Sequence, residues 1–159
     1  NINEYIVYLR CNIKLGVRHV FYSKSKDLIN WDTPKFIKKS PEFDLDNESL
    51  YYMGAYPLSN GKYIAFAPHF KNYVNENNKN DRTYGQGKTL VMLSEDGINW
   101  EVIDEIFKTE NTGHMTQPHV YAFLEKEQSL YVHEGFLTTK NYLSLYKFDE
   151  TEFTKLISK

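Results

Sequence analysis

The chain has 159 residues, net charge −2 and 16% aromatic residues, with 13 Tyr and 10 Phe. That is room for one modest domain, and the aromatic load favours sheets over helical bundles. The charge gives no reason to expect nucleic acid or an anionic membrane as partner, the single cysteine Cys11 excludes an internal disulfide, and no apolar run approaches the ~20 residues of a membrane span.

Strand-like runs follow one another from the start. Residues 5–10, 18–23 and 35–38 form a first group. Residues 50–58, 62–70, 89–94 and 101–106 form a second, and residues 118–124, 129–136, 142–148 and 154–157 a third. Turn signals such as Ser59-Asn60-Gly61 and Glu125-Lys126-Glu127 separate them. No convincing helix is expected; residues 104–108 make one turn at most.

One phrase occurs twice. Ser25-Lys26-Asp27-Leu28-Ile29-Asn30-Trp31 returns as Ser94-Glu95-Asp96-Gly97-Ile98-Asn99-Trp100, with five of seven positions identical. Both copies follow a β-rich aliphatic run, the signature of an internal repeat. Ser and Asp side chains hold tight turns by bonding backbone groups two residues on. A degenerate third copy is expected at Asp149…Phe153, with Lys147 where Ser should be. The aspartates lie 69 and 53 residues apart, and the longer spacing contains the polar stretch Lys71–Gly87, which reads as an inserted loop. Without it the period is about 50 residues, that of a four-stranded propeller blade.

The expected fold is therefore all-β. Residues 1–159 form a single partial β-propeller of about three four-stranded antiparallel blades, at 1–40, 41–108 and 109–159. The first blade lacks its inner strand. Propellers close with four to eight blades. The ring is thus expected to be incomplete and finished by the rest of a parent chain or by another subunit.

Residues 5–10, 18–23, the Asp27…Trp31 turn with Pro34, Leu50-Tyr51-Tyr52, Tyr56-Pro57 and residues 91–97 together resemble the glycosidase-type propellers. These are the five-bladed arabinanase, xylosidase and invertase-like glycoside hydrolases, and the turn is similar to the sialidase Asp-box. The resemblance implies glycan processing by paired carboxylates at the ring centre. It implies a carbohydrate partner, no cofactor, and an extracellular or periplasmic setting. The departures are the small number of blades and the lack of a complete carboxylate set.

Strand direction places the site. The Asp turns join the third and fourth strands of each blade, so they lie on the rim opposite the loops that follow the second strands. Asp27, Asp96 and Asp149 are accordingly expected to be structural. The other rim carries Arg10, His69, His133, Glu134 and the segment Thr112–His119. Glycoside hydrolysis needs a protonated donor and a second carboxylate. Glu134 ends an apolar strand, so burial would raise its pKa toward donor values; the alternative is a solvent-facing or Lys-paired carboxylate. Asp44, Asp46 and Glu48 are possible second carboxylates or simply a solvated loop. Arg10 and Arg18 either grip a sugar hydroxyl or carboxylate or form structural ion pairs. Tyr56 is a candidate stacking face, and His69, Gln117, His119 and His133 are candidate hydroxyl binders. No metal is expected, because the histidine spacing matches no ligand motif. Hydrolysis of poly- or oligosaccharides is the first functional expectation. A non-catalytic glycan-binding or structural segment is the alternative.

Overall fold

The computed structural model describes residues 4–14, 17–74, 82–109, 119–135 and 139–158. It is mostly β, in three sheets. Strands β1 (Tyr5–Lys14), β2 (Val17–Ser25) and β3 (Lys35–Phe36) form the first sheet in that order. The second and largest runs from β4 (Lys38–Ser40) through β9 (Asn99–Thr109), β8 (Arg82–Ser94) and β7 (Tyr63–Val74) to β5 (Glu48–Leu50). Strand β6 (Gly54–Pro57) also pairs with β7. The third sheet is β10 (His119–Leu124), β11 (Ser129–Glu134) and β12 (Tyr142–Lys147). Helix α1 (Glu150–Ile157) follows.

Side-chain alternation makes the second sheet the filling of a three-layer stack. Successive residues of a strand point to opposite faces. On β7 and β8, Ile64, Phe66, Val91 and Leu93 join a core with Val120, Leu130 and Val132 of the third sheet. Their neighbours Ala65, Ala67, Leu90 and Met92 join a second core with Val20 of the first sheet, Ile37 and Trp100. Sheets that are apolar on both faces must be covered on both, and here they are.

Several sequence expectations change. The run 35–38 does not stay in one sheet. Ile37 is buried, its N–H donating to the Val20 carbonyl, while the Lys38 N–H donates to Ile98, so the chain crosses from the first sheet to the second at this residue. The run 50–58 is two strands, interrupted where the Tyr51 N–H donates to the Pro68 carbonyl. Lys71–Gly87 is largely not a loop: its flanks extend β7 and β8 into a long hairpin, paired as far as Val74 and Arg82. Residues 104–108 lie within β9. The strand expected at 154–157 is instead the end of α1. Asp149 is its N-cap, accepting the N–H groups of Thr151 and Glu152, and Phe153 and Leu156 are buried. A local cap plus an apolar stripe at i, i+3 outweighs the β-branched residues in this segment.

The true third relative of the Asp turn is elsewhere. Asp27 Oδ1 accepts from the N–H groups of Ile29 and Asn30, and its Oδ2 from the Asn30 amide. Asp96 does the same with Ile98 and Asn99. Asp44 repeats the pattern with Asp46 and Asn47. The shared unit is therefore Asp-x-x-Asn, a side chain closing a turn on its own backbone.

Candidate functional site at the junction of the three sheets

Register fixes the two ends of the molecule. Tyr5 lies opposite Ser25 and Tyr63 opposite Ser94, so both repeated Asp turns are at one end. His69 pairs across from Leu50 and Lys88, and His119 from His133, toward the other.

At that second end the sheets meet on two consecutive tyrosines that follow β5. The Arg10 guanidinium carbon lies 5.1 Å from the Tyr51 ring centroid and that of Arg18 lies 5.0 Å from it. Both arginines belong to the first sheet. The Arg18 N–H also donates to Ser49 Oγ, fixing β2 against β5. From the third sheet, buried His119 stacks on Tyr52 at 5.4 Å and meets Tyr51 edge-on at 6.0 Å. The Tyr52 hydroxyl donates to the Val120 carbonyl, and Phe70 of β7 closes the remaining side of Tyr51. Burial pushes the Tyr52 phenol well above its ordinary range, so it stays a neutral donor. Cations near an aromatic face gain up to about 2 kcal/mol when desolvated.

His69 takes part in a different cluster. It and Phe70 are adjacent on β7 and so face opposite ways. His69 is buried, with Nε2 3.4 Å from Glu48 Oε2 and with no hydrogen-bond partner for Nδ1 among the described residues. Phe43 stacks on it at 6.2 Å and meets His19 edge-on at 4.6 Å, while Lys39 Nζ sits 4.1 Å from the Phe43 ring. Burial holds the His69 pKa below its ordinary value, helped by Lys88 and Lys39 and opposed by Glu48. A cavity of about 280 Å³ opens beside this cluster, lined by His19, Phe36, Phe43, Lys39 and Glu42 among others.

Glu134 stands apart from both. Its carboxylate accepts the Tyr146 hydroxyl at 2.7 Å and the Tyr142 hydroxyl at 3.3 Å. Burial acts to raise its pKa, but bonds from Ser144, Tyr146 and Tyr142 outweigh burial and leave it below the ordinary value. The expected rise is thus reversed, because hydroxyl donors stabilise the charged form. The Tyr146 phenol shifts the other way, up to about 12, chiefly through the same bond.

Tyr56 is packed against Phe66 and Phe123, and its hydroxyl donates to the Tyr121 carbonyl, so it belongs to the core. His133 lies 5.7 Å from the Tyr121 ring on the outer side of the third sheet. Gln117 lies outside the described residues. The structure therefore brings Arg10, Arg18 and His119 onto Tyr51 and Tyr52, with His133 paired across from His119 and Tyr56 near Tyr52, while His69 and Glu134 take part in other clusters. Tyr51 and Tyr52 are not among the site residues expected from sequence, which reads them as part of the strand-like run 50–58; their signal there is the Leu50-Tyr51-Tyr52 motif that carries the family resemblance. Among the described residues no three His, Cys, Asp or Glu side chains are grouped to hold a metal ion. Among them, too, no helix is long and apolar enough to cross a membrane.

No protein-family model matches the chain, and no curated protein matches it.

Proposed function

We propose that this chain binds a saccharide at the Tyr51 junction, on a scaffold of glycosidase-type propeller blades. The observation that carries the reading is the convergence of Arg10, Arg18 and His119 on Tyr51 and Tyr52, where three sheets meet. Aromatic rings offer stacking surface to the apolar faces of sugars, and guanidiniums donate in a fork to hydroxyl or carboxylate oxygens. The blade reading is supported by the antiparallel runs β1-β2-β3, β7-β8-β9 and β10-β11-β12, each in chain order, and by the Asp turn recurring after the middle strand of the first two; the parallel pairing of β4 with β9 departs from it.

A hydrolytic role requires two carboxyl groups flanking a sugar bond. Glu48 begins β5, three residues before Tyr51, and it already leans on His69. Glu134 is held charged by tyrosine hydroxyls, which suits a base or a charge stabiliser better than a proton donor. That observation favours binding without cleavage, and hydrolysis stands as the second reading. Saturation-transfer NMR against a panel of neutral and acidic oligosaccharides tests binding, and chromatography of the same mixtures after long incubation tests cleavage. Saccharide contact with no product selects the binding module. Product lost in Glu48→Gln but retained in Glu134→Gln selects hydrolysis through Glu48. Absence of any saccharide contact removes the proposal.

A further inference from the structure

The cavity beside Phe43 shares no lining residue with the Tyr51 junction, and it has a buried donor of its own. On β2 both His19 and Val20 are buried, although neighbouring residues of a strand face opposite ways. Val20 joins the core shared with the second sheet. His19 is covered instead by Phe36 and Phe43, whose rings meet it edge-on at 4.9 and 4.6 Å. The Val20 N–H lies 2.7 Å from His19 Nδ1 and can only donate, so Nδ1 accepts and the ring proton is on Nε2; the Val20 carbonyl is farther, at 3.1 Å. Burial holds the His19 pKa below its ordinary value, with the Val20 bond opposing and Lys39 assisting, so the ring is neutral near pH 7. Its hydrogen bonds to described residues are all made at Nδ1, while the residue itself lines a cavity of about 280 Å³. The Nε2–H is thus a donor left for something inside that cavity.

The rest of the lining divides cleanly. Phe36, Phe43 and Leu45 supply apolar surface, and the charged groups are Lys38, Lys39 and Glu42, two ammoniums to one carboxylate. Lys39 is half-buried, with Nζ 4.1 Å from the Phe43 ring centroid. It donates to the Pro41 carbonyl, and an ammonium has two further protons to give. Lys39 and His19 therefore meet on the same phenylalanine, and both can only donate. We infer that this cavity binds a small organic acid, its ring or branched aliphatic body lying among Phe36, Phe43 and Leu45 and its carboxylate accepting from His19 and Lys39. A cavity of about 150 Å³ takes a benzene ring, so about 280 Å³ has room for a ring with a short acidic arm. The inference is independent of saccharide binding at Tyr51.

Titration of the 159-residue chain with benzoate, followed through the histidine ring signals in proton–carbon NMR, is the test. Benzoate should shift one histidine saturably, identified as His19 by the loss of that signal in His19→Asn. Acetate, which lacks the apolar body, and benzylamine, which has the opposite charge, should each bind at least about tenfold more weakly. Lys39→Met should also weaken benzoate about tenfold, the size of one hydrogen bond to a charged group. Leu45 is 42% exposed, so Leu45→Trp leaves the core intact and should block the cavity; it serves where His19→Asn misfolds. Tyr51→Ala should leave benzoate affinity unchanged, which keeps this site distinct from the saccharide reading. Absence of a saturable shift, equal binding of benzylamine, affinity indifferent to both Lys39→Met and Leu45→Trp, or affinity lost in Tyr51→Ala alone would each overturn the inference.

Discussion

The turns at Asp27 and Asp96 share one polar skeleton and differ in almost everything around it. In each, the preceding Ser Oγ accepts two backbone N–H groups and donates to the Asp carboxylate. In each, the Trp indole donates to the carbonyl of the residue three before it. Yet Trp31 is 40% exposed and Trp100 only 2%. The second position of the turn has positive φ in both, 63° at Leu28 and 73° at Gly97. At Gly97 a Cβ would meet Tyr8 Oη at 2.9 Å and Ile6 Cδ1 at 3.0 Å, and the Tyr8 hydroxyl donates to its carbonyl at 2.8 Å. At Leu28 the side chain is simply solvated. Local hydrogen bonds thus build the turn regardless of context. What lands on it decides whether a side chain is allowed there.

The sharpest way to break the comparison is to truncate the tryptophans. Trp100→Ala should lower unfolding free energy by about 3–5 kcal/mol in urea titrations, as large-to-small core changes do. Trp31→Ala should cost under about 1 kcal/mol. Equal losses would mean that the two turns are equally packed. Next comes the glycine. Gly97→Ala should cost about 2 kcal/mol, from left-handed backbone strain and the clash with Tyr8, whereas Leu28→Gly should be within about 1 kcal/mol of neutral by thermal melts.

Acid sharpens the comparison further. At Asp96 burial acts to raise the pKa, but the bonds from Asn99, Ile98 and Ser94 outweigh it and hold the carboxyl below its ordinary value. Asp27, fully solvated, is held well below by bonds from Asn30, Ile29 and Ser25. For a depressed carboxyl the stabilisation is complete above its unfolded pKa of about 3.9 and is lost as pH falls through the folded value. Asp27→Asn and Asp96→Asn should therefore each flatten the acid limb of a stability–pH profile below about pH 4. A limb left as steep would show that the turn bonds do not discriminate charge.

The smallest effect is expected away from the turns, at His69 and His19, whose pKa values burial depresses. Below the unfolded histidine value of about 6.5 the unfolded chain takes up protons that the folded chain refuses, so stability should fall from pH 7 toward pH 5. The slope reflects Glu48, Lys39 and Lys88 around His69 as well. His69→Gln should reduce it, and an unaltered slope would place the titration elsewhere.

Much of the sheet structure was legible from residues alone. The runs 62–70 and 89–94 match β7 and β8 apart from Lys62, and the repeated phrase marks one end of the molecule, as strand direction implied. The misreadings have local causes. Asp149-x-x-Glu152 with Phe153 and Leu156 is a cap and a helical stripe, although its Asp and aromatic spacing copies that of the turn. Asp44-x-x-Asn47 lacks the flanking Ser and Trp that mark the repeat in sequence, though its bonds are those of the repeat. The site was only half legible. Arg10 and His119 follow onto one rim from strand direction, and Arg18 is a candidate sugar ligand by its chemistry. That they converge on Tyr51 depends on the packing of separate sheets, which no spacing within the chain encodes.

The central claim is that the repeated turns hold the structure while recognition lies at the opposite end. Isothermal titration with the saccharide that gives the strongest NMR contact, on Tyr51→Ala, Arg10→Ala and Asp96→Ala side by side with melting curves, tests it directly. The account predicts at least a tenfold loss of affinity for the Tyr51 and Arg10 variants with unchanged far-UV spectra, and a lower melting temperature with retained affinity for Asp96→Ala. Affinity lost in Asp96→Ala and kept in Tyr51→Ala would contradict it.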